Sequence, residues 1–310
     1  MSTAASMPMA AADRIRMWWE MTRPRVIGLV LFTGLPILGI HGWPSLGKAL
    51  AVLVGTALAG AASSTLNAYV ERETDAHMAR TRERPLPAAS IAPGQALWLG
   101  LFYSVLSTIV LWLVGGALAA LVGVATILFY VLVYTMWLKP RTPQNIVIGG
   151  AAGATAPMIA EAALIGELTW ASWILFAIVF LWTPPHFWAI AIFRKKEYAA
   201  AGFPMMPNVI GDRATRRQSI AYTIVLLAVS LLPVPLGLLS PVYGGVALLS
   251  GLWFFAAVLG SAREDDPRVD YRVFRVSIVY LLVLFAAMLG DCVLRPVLPL
   301  AGVVEGVLPS

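Results

Sequence analysis

Residues 85–138 read PLPAASIAPGQALWLGLFYSVLSTIVLWLVGGALAALVGVATILFYVLVYTMWL, without one Asp, Glu, Lys or Arg. A membrane-crossing helix needs about 20 apolar residues. The stretch therefore has room for two, and Gly115-Gly116 near its middle marks the expected break. The same pattern repeats outward. Residues 26–47, 49–70 and 169–193 are free of charge, and 145–165 and 276–294 carry one carboxylate each, Glu161 and Asp291. Residues 219–262 are again long enough for two helices, broken near Ser240-Pro241. The fold expected is all-α: a polytopic membrane protein of nine transmembrane helices.

Composition supports this class. Of 310 residues, 59% are hydrophobic and 12% charged, against about 25% charged in an ordinary soluble domain. Mean hydropathy is +0.81. A soluble globule of this length has nowhere to hide so much apolar surface, and a disordered tail or fibrous repeat would not carry it. Outer-membrane barrels show short alternating strands, whereas these runs are unbroken. The single cysteine, Cys292, excludes a disulfide framework and a cysteine-based metal site. No cleavable leader is expected, because Asp13, Arg14, Arg16, Glu20, Arg23 and Arg25 interrupt the first 25 residues.

The net charge of +6 is explained by topology. With nine helices and the N-terminus in the cytoplasm, all 22 lysines and arginines except Lys48 and Arg295 fall on the inside. No nucleic-acid partner is expected. Met17-Trp18-Trp19, flanked by arginines, suits an interfacial anchor. The chain divides into a cytoplasmic segment over 1–25, a transmembrane domain over 26–295 and a short tail over 296–310.

Two inside loops are dense in charge. In the first, Asn67, Glu71 and Asp75 recur at i, i+4 and i+8. On a continuing helix they form one oxygen-bearing stripe about 12 Å long. Arg80, Arg82 and Arg84 follow. Carboxylates for a hard cation such as Mg²⁺, with guanidiniums for the remaining phosphate oxygens, are what a metal diphosphate needs. A solvated helix end with compensating charges is the other reading. The second loop offers Arg194, Lys195, Lys196 and Glu197, rich in cations and poor in carboxylates. A third, short loop holds Tyr134, Lys139, Arg141 and Asn145, and small residues over 148–154 follow it. Those small residues permit close helix packing or leave room for a bulky ligand.

Within the bilayer, polar groups are functional candidates. His186 stands out, next to Pro184-Pro185, which are expected to break or kink their helix and free backbone carbonyls. Either it bonds a freed carbonyl, or it contacts a haem group or a developing cation. Glu161 and Asp291 lie toward outer helix ends, where solvation near the interface is expected to suffice.

These motifs resemble the UbiA superfamily of intramembrane prenyltransferases and, inside it, the haem-farnesylating branch, the haem O synthases. The aspartate-rich pattern N-x-x-x-D-x-x-x-D matches Asn67, Glu71 and Asp75, with Glu71 in place of the middle aspartate. Its extension D-x-x-M-x-R-T-x-x-R-P-L matches Asp75, Met78, Arg80, Thr81, Arg84, Pro85 and Leu86. Tyr134, Thr135, Leu138, Lys139, residues 145–150 and residues 152–154 match the branch's Y-T-x-x-L-K and N-I-V-I-G-G-x-A-G-A patterns. W-T-P-P-H-F-W-A-x-A-I-F-R matches residues 182–194 and is followed by E-Y-x-x-A-G-x-P-M at 197–205.

The resemblance covers roughly residues 20–290 and implies that the nine helices enclose a lateral cavity, with the active site at the cytoplasmic side. It implies transfer of the farnesyl group of farnesyl diphosphate to a vinyl group of haem B, with addition of water, giving haem O and diphosphate. Another aromatic or chlorin acceptor is the alternative. It implies Mg²⁺ held by Asn67, Glu71 and Asp75, with Glu197 as a further ligand candidate. Arg80, Arg84, Lys139, Arg194 and Lys195 would bind diphosphate, and His186, Tyr134, Asn145 and Trp182 would line the haem cavity. The second motif lacks the D-x-x-x-D pair of quinone-type relatives. A bacterial inner-membrane location follows, with the lipid bilayer as surroundings and a haem A synthase or terminal oxidase assembly as downstream partner.

Overall fold

The computed structural model describes residues 11–77, 81–200, 202–264 and 266–294. Among them every regular element is helical. The chain runs through α1 (Ala11–Met21), α2 (Pro24–Ile40), α3 (Leu46–Ala76), α4 (Pro93–Leu128), a π-helix, π1 (Phe129–Leu138), α5 (Asn145–Gly153) and α6 (Ala156–Ile165). Then follow α7 (Trp170–Phe193), α8 (Lys195–Ala200), α9 (Met206–Ile210), α10 (Asp212–Leu231), α11 (Pro241–Arg263) and α12 (Pro267–Leu294). α3 lies along α4, α7 packs on α10 and α12, and α6 fits between α2 and α4. The main apolar core joins α7, α11 and α12 through Ile178, Phe254, Tyr280 and Phe285, all fully buried.

Among the described residues, six helical runs are long and apolar enough to cross a membrane, α5 and α6 counting together as one, or seven if α1 and α2, bent by 50°, form one span. The nine expected spans exceed that count for two reasons. Pro93–Leu138 is a single helical run of 46 residues, about 69 Å if straight, more than twice the hydrocarbon thickness of about 30 Å. It bends at Gly116, whose φ of 74° and ψ of −168° suit glycine alone. α10 falls short because its first turns carry Asp212, Arg213, Arg216 and Arg217.

Three local expectations change. Pro184 and Pro185 do not break α7, which runs unbroken from Trp170 to Phe193. Residues 145–165 divide instead into α5 and α6 at Ala154-Thr155, with Pro157 in the first turn of α6. Glu161 and Asp291 do not rely on solvent. Glu161 is completely buried. Its carboxylate accepts the Thr169 backbone N–H at 2.7 Å, the Thr169 hydroxyl at 2.6 Å and the Ser172 hydroxyl, and lies 2.6 Å from His41 Nε2. Asp291 accepts the backbone N–H of Ser240 at 3.0 Å and its hydroxyl, at the N-terminus of α11. Both carboxylates serve helix starts that would otherwise bury unpaired donors.

Candidate functional site

α3 continues to Ala76, so Asn67, Glu71 and Asp75 do share one helical face. They are 1%, 7% and 6% exposed, which excludes a solvated helix end. Each meets a cation from another part of the chain. Glu71 pairs with Lys139. The Arg84 guanidinium donates to Asp75 Oδ2 at 2.8 Å. Arg23 Nη2 donates to Asn67 Oδ1 at 3.0 Å. The Thr81 hydroxyl donates to the Asp75 carbonyl at 2.8 Å and folds the following loop back over the end of α3.

The sequence offers Arg23 only as one of the charges of the N-terminal segment; the structure brings it against Asn67. It precedes Pro24 and holds φ 55°, ψ 60°, a left-handed conformation unusual for a side chain of this size. Such strain costs on the order of 1–3 kcal/mol and persists where the surroundings impose it. Burial works against its charge, while Tyr130, Glu71 and Asp75 work for it, leaving its pKa above the ordinary arginine value. An arginine directly before a proline at the mouth of the first span is the only signal the sequence offers.

π1 supplies the opposite wall. Its wider turn shows in the Lys139 N–H, which donates to the Tyr134 carbonyl five residues back at 2.9 Å. Tyr130 and Tyr134 lie with ring centroids 5.2 Å apart. The Tyr134 ring rests on α5 at Gly149, where a β-carbon would come within 2.1 Å of Cδ2. A β-carbon at Gly150 would stand 2.8 Å from Thr183 of α7. The small residues at these two positions therefore serve packing. Asn145 is fully buried, its Nδ2 donating to the Thr142 carbonyl at 2.6 Å while Oδ1 is unpaired. Lys139 Nζ lies 4.8 Å from the centre of the Phe203 ring, which joins the second charged loop to the site.

Beside the acid face lies a cavity of about 360 Å³, bordered by Arg23, Asp75, Glu83 and Arg84 and by apolar Met21 and Leu86. Two cations of the second loop are engaged elsewhere. Arg194 pairs with Glu197 at 3.5 Å and Lys195 with Asp212 at 2.8 Å. Glu197 is about half exposed. Arg80 lies outside the described residues. Among those described, no group of three or more His, Cys, Asp or Glu side chains is arranged to hold a metal. A cation on α3 would therefore rest on two carboxylates, one amide, water and the oxygens of a bound diphosphate. That all-oxygen donor set suits a hard divalent ion such as Mg²⁺.

His186 is buried between α7 and α12. Its ring stacks on Trp182 at 4.1 Å and on Phe274 at 4.7 Å. Its Nδ1 lies 2.7 Å from the Ser277 hydroxyl rather than on a freed carbonyl. Ser277 spends its own proton on the Phe274 carbonyl at 2.7 Å. The serine oxygen therefore accepts from Nδ1–H, which leaves the lone pair of a neutral imidazole on Nε2. Trp182 Nε1 donates to the Ser277 carbonyl at 2.8 Å. Ser277 carried no signal in the sequence.

Residues 28–289 match the UbiA prenyltransferase family. The chain is 46% identical over 283 residues to a protoheme IX farnesyltransferase of Brucella anthropi, covering 89% of this chain and 90% of the relative. It is 44% identical over 281 residues to one of Symbiobacterium thermophilum, covering 89% and 94%. A digeranylgeranylglyceryl phosphate synthase structure superposes with a TM-score of 0.77 at 16% identity, over 91% of this chain and 99% of that one. A UbiA homologue from Archaeoglobus fulgidus, bound to DMAPP and Mg²⁺, gives 0.63 at 16% identity, over 87% and 98%. At that identity the two structures are alike in fold.

Proposed function

The chain belongs to the UbiA prenyltransferase family, and on that premise we propose that it transfers the farnesyl group of farnesyl diphosphate to a vinyl group of haem B, adding water and giving haem O and diphosphate. The acceptor follows the names of relatives 44–46% identical over about nine-tenths of the chain. The observation that carries the chemistry is the buried acid face of α3, with three long cationic arms on it and a cavity at its edge.

Asn67, Glu71 and Asp75 would hold Mg²⁺, which when bound offsets charge developing on the leaving diphosphate. Arg84 and Lys139 turn from the carboxylates to the phosphate oxygens, and Arg23 joins them from the α1–α2 link. Arg80, Arg194 and Lys195 are assigned to the outer phosphate, and Glu197 to an additional ligand position. As the bond from farnesyl carbon to diphosphate oxygen breaks, the vinyl π electrons attack that carbon. The resulting benzylic-type cation takes up water, loses a proton and leaves a hydroxyethylfarnesyl group. Apolar neighbours such as Met21 and Leu86 keep water from the farnesyl cation until the new bond has formed. Tyr134, Asn145 and Trp182 belong to the porphyrin side. His186 orients haem, its Nε2 lone pair suited to iron.

The reading includes nine spans in the bacterial inner membrane, a cytoplasmic N-terminus with α1 as an interfacial anchor, and one catalytic domain over residues 26–295. A haem A synthase or terminal oxidase assembly would receive the product. Mass spectrometry of haems from cells expressing the wild type and Asp75→Asn is the test. Haem O from the wild type alone is expected. Haem O from neither, with another acceptor farnesylated by purified protein, would overturn the choice of acceptor.

A further inference from the structure

Thr135 lies in π1, between the two tyrosines and Lys139, and is 4% exposed. Its hydroxyl has one proton, which it donates to the Tyr130 carbonyl at 2.8 Å. In an α-helix, a threonine turns its hydroxyl to the carbonyl three or four residues back. Here it reaches five back, in step with the π register. With its proton spent, the Thr135 oxygen can only accept, and Asn67 Nδ2 donates to it at 3.1 Å. On the far side of the amide, Oδ1 accepts from Arg23 Nη2 at 3.0 Å. A flipped amide would aim its NH₂ at a guanidinium, donor against donor. It would also aim its oxygen at a hydroxyl with no proton left, so both contacts would fail together.

We propose that Thr135 is a positioning residue for the transfer reaction: it fixes which end of the Asn67 amide faces the acid site, so that the oxygen and never the NH₂ is presented to a cation. The role rests on the reading of Asn67 as a ligand given above. An amide at the head of a metal stripe has a weakness that a carboxylate lacks, because only one of its two ends can bind a cation. Thr135, held in place by π1, removes the wrong orientation. The π-helical turn thereby acquires a function, since it aims the hydroxyl proton away from Asn67.

The test compares purified full-length wild type, Thr135→Val, Thr135→Ser, Asn67→Ala, Asn67→Asp and the double variant Asn67→Asp/Thr135→Val. Two measurements are made: the Mg²⁺ dependence of thermal stabilisation by inorganic pyrophosphate, and haem affinity by Soret titration. Thr135→Val should raise the Mg²⁺ concentration for half-maximal stabilisation by about tenfold, the size of one lost hydrogen bond. Haem affinity should not move, and Thr135→Ser should return the value to near wild type. Because both ends of a carboxylate are alike, Asn67→Asp should be better tolerated on the Thr135→Val background than alone. An unchanged Mg²⁺ requirement in Thr135→Val overturns the proposal. Equal losses of Mg²⁺ response, haem affinity and melting temperature, with no benefit from Asn67→Asp, overturn it in favour of plain packing. Asn67→Ala separates the two levels. If that variant keeps the full Mg²⁺ response, the reading of the metal site fails. If it loses the response while Thr135→Val keeps it, only the orienting role fails.

Discussion

α2 has a buried carboxylate site at each end, and the two are built differently. At its start Arg23 reaches to Asn67, beside Glu71 and Asp75. About 26 Å away along its 17 residues, the His41 that caps it meets Glu161. Glu71, Asp75 and Glu161 are all buried, and a bilayer makes an uncompensated carboxylate expensive in either place. The first pair is neutralised by Lys139 and Arg84, long side chains that can swing and that are still 16% and 34% exposed. Glu161 is saturated by His41, a backbone N–H and two short hydroxyls, the last three rigidly attached to the start of α7. A cavity adjoins Asp75. Burial of an acid therefore does not mark a reactive site. Under the proposed function, exchangeable partners beside open space set the reactive site apart from a structural staple held by fixed short donors.

The sharpest way to break this contrast is to remove charge at the first end. Asp75→Asn is expected to lower haem O formation by about 100-fold or more, the scale of losing a stabiliser of transition-state charge. Its melting temperature should stay near wild type. A normal haem O yield from folded Asp75→Asn protein would falsify the assignment. Glu161→Ala should do the reverse, costing about 3 kcal/mol or more of stability because the α7 donors lose their acceptor. Activity per folded molecule should be retained, and Glu161→Gln should destabilise less. A collapse of activity at unchanged melting temperature would move Glu161 into the reacting machinery.

A smaller effect sharpens the first end. Arg84→Lys keeps the charge but loses the planar fork, so the KM for farnesyl diphosphate should rise by about tenfold while haem affinity holds. Selective loss of haem affinity would contradict it. The smallest effect concerns His186, which stands between the two types: buried like Glu161, yet with one fixed partner and one lone pair left over. His186→Ala should weaken haem binding and shift the Soret band. Ser277→Ala should weaken it less, by several-fold, since it releases only the ring's tautomer. If both variants merely lower the melting temperature, His186 joins Glu161 among the staples.

Much of the acid site was legible because it is local. Three oxygens at four-residue spacing on a continuing helix need only the periodicity of α3. Arg84, nine residues past Asp75, was legible with them, and Lys139 entered through the resemblance as a phosphate ligand; the long-range pairings themselves were not. Lys139 lies 68 residues from Glu71, and Arg23 lies 44 from Asn67. Nothing in the chain near Asn67 announces either. The small residues after Asn145 left packing and ligand space both open, and the Tyr134 ring over Gly149 decided for packing at that point. Glu161 read as an acid near an interface because its acceptors' customers, the first donors of α7, come together only when α6 and α7 meet.

What the sequence determined by itself follows from composition and short-range order. Uncharged runs this long, without the alternation of barrel strands, cross a bilayer as helices, because a helix pairs its backbone polar groups within the segment. Glycine and proline mark the turns at Gly116 and at Ser240-Pro241, and the acid face follows from a period of 3.6. Tertiary structure alone decided that α7 passes unbroken through two prolines and that Phe129–Leu138 widens into a π-helix. It also put a strained Arg23 against Asn67 and gave Ser277 to His186. Each of these depends on which neighbour packs against the helix, and a one-dimensional pattern carries no record of what stands across a helix–helix contact.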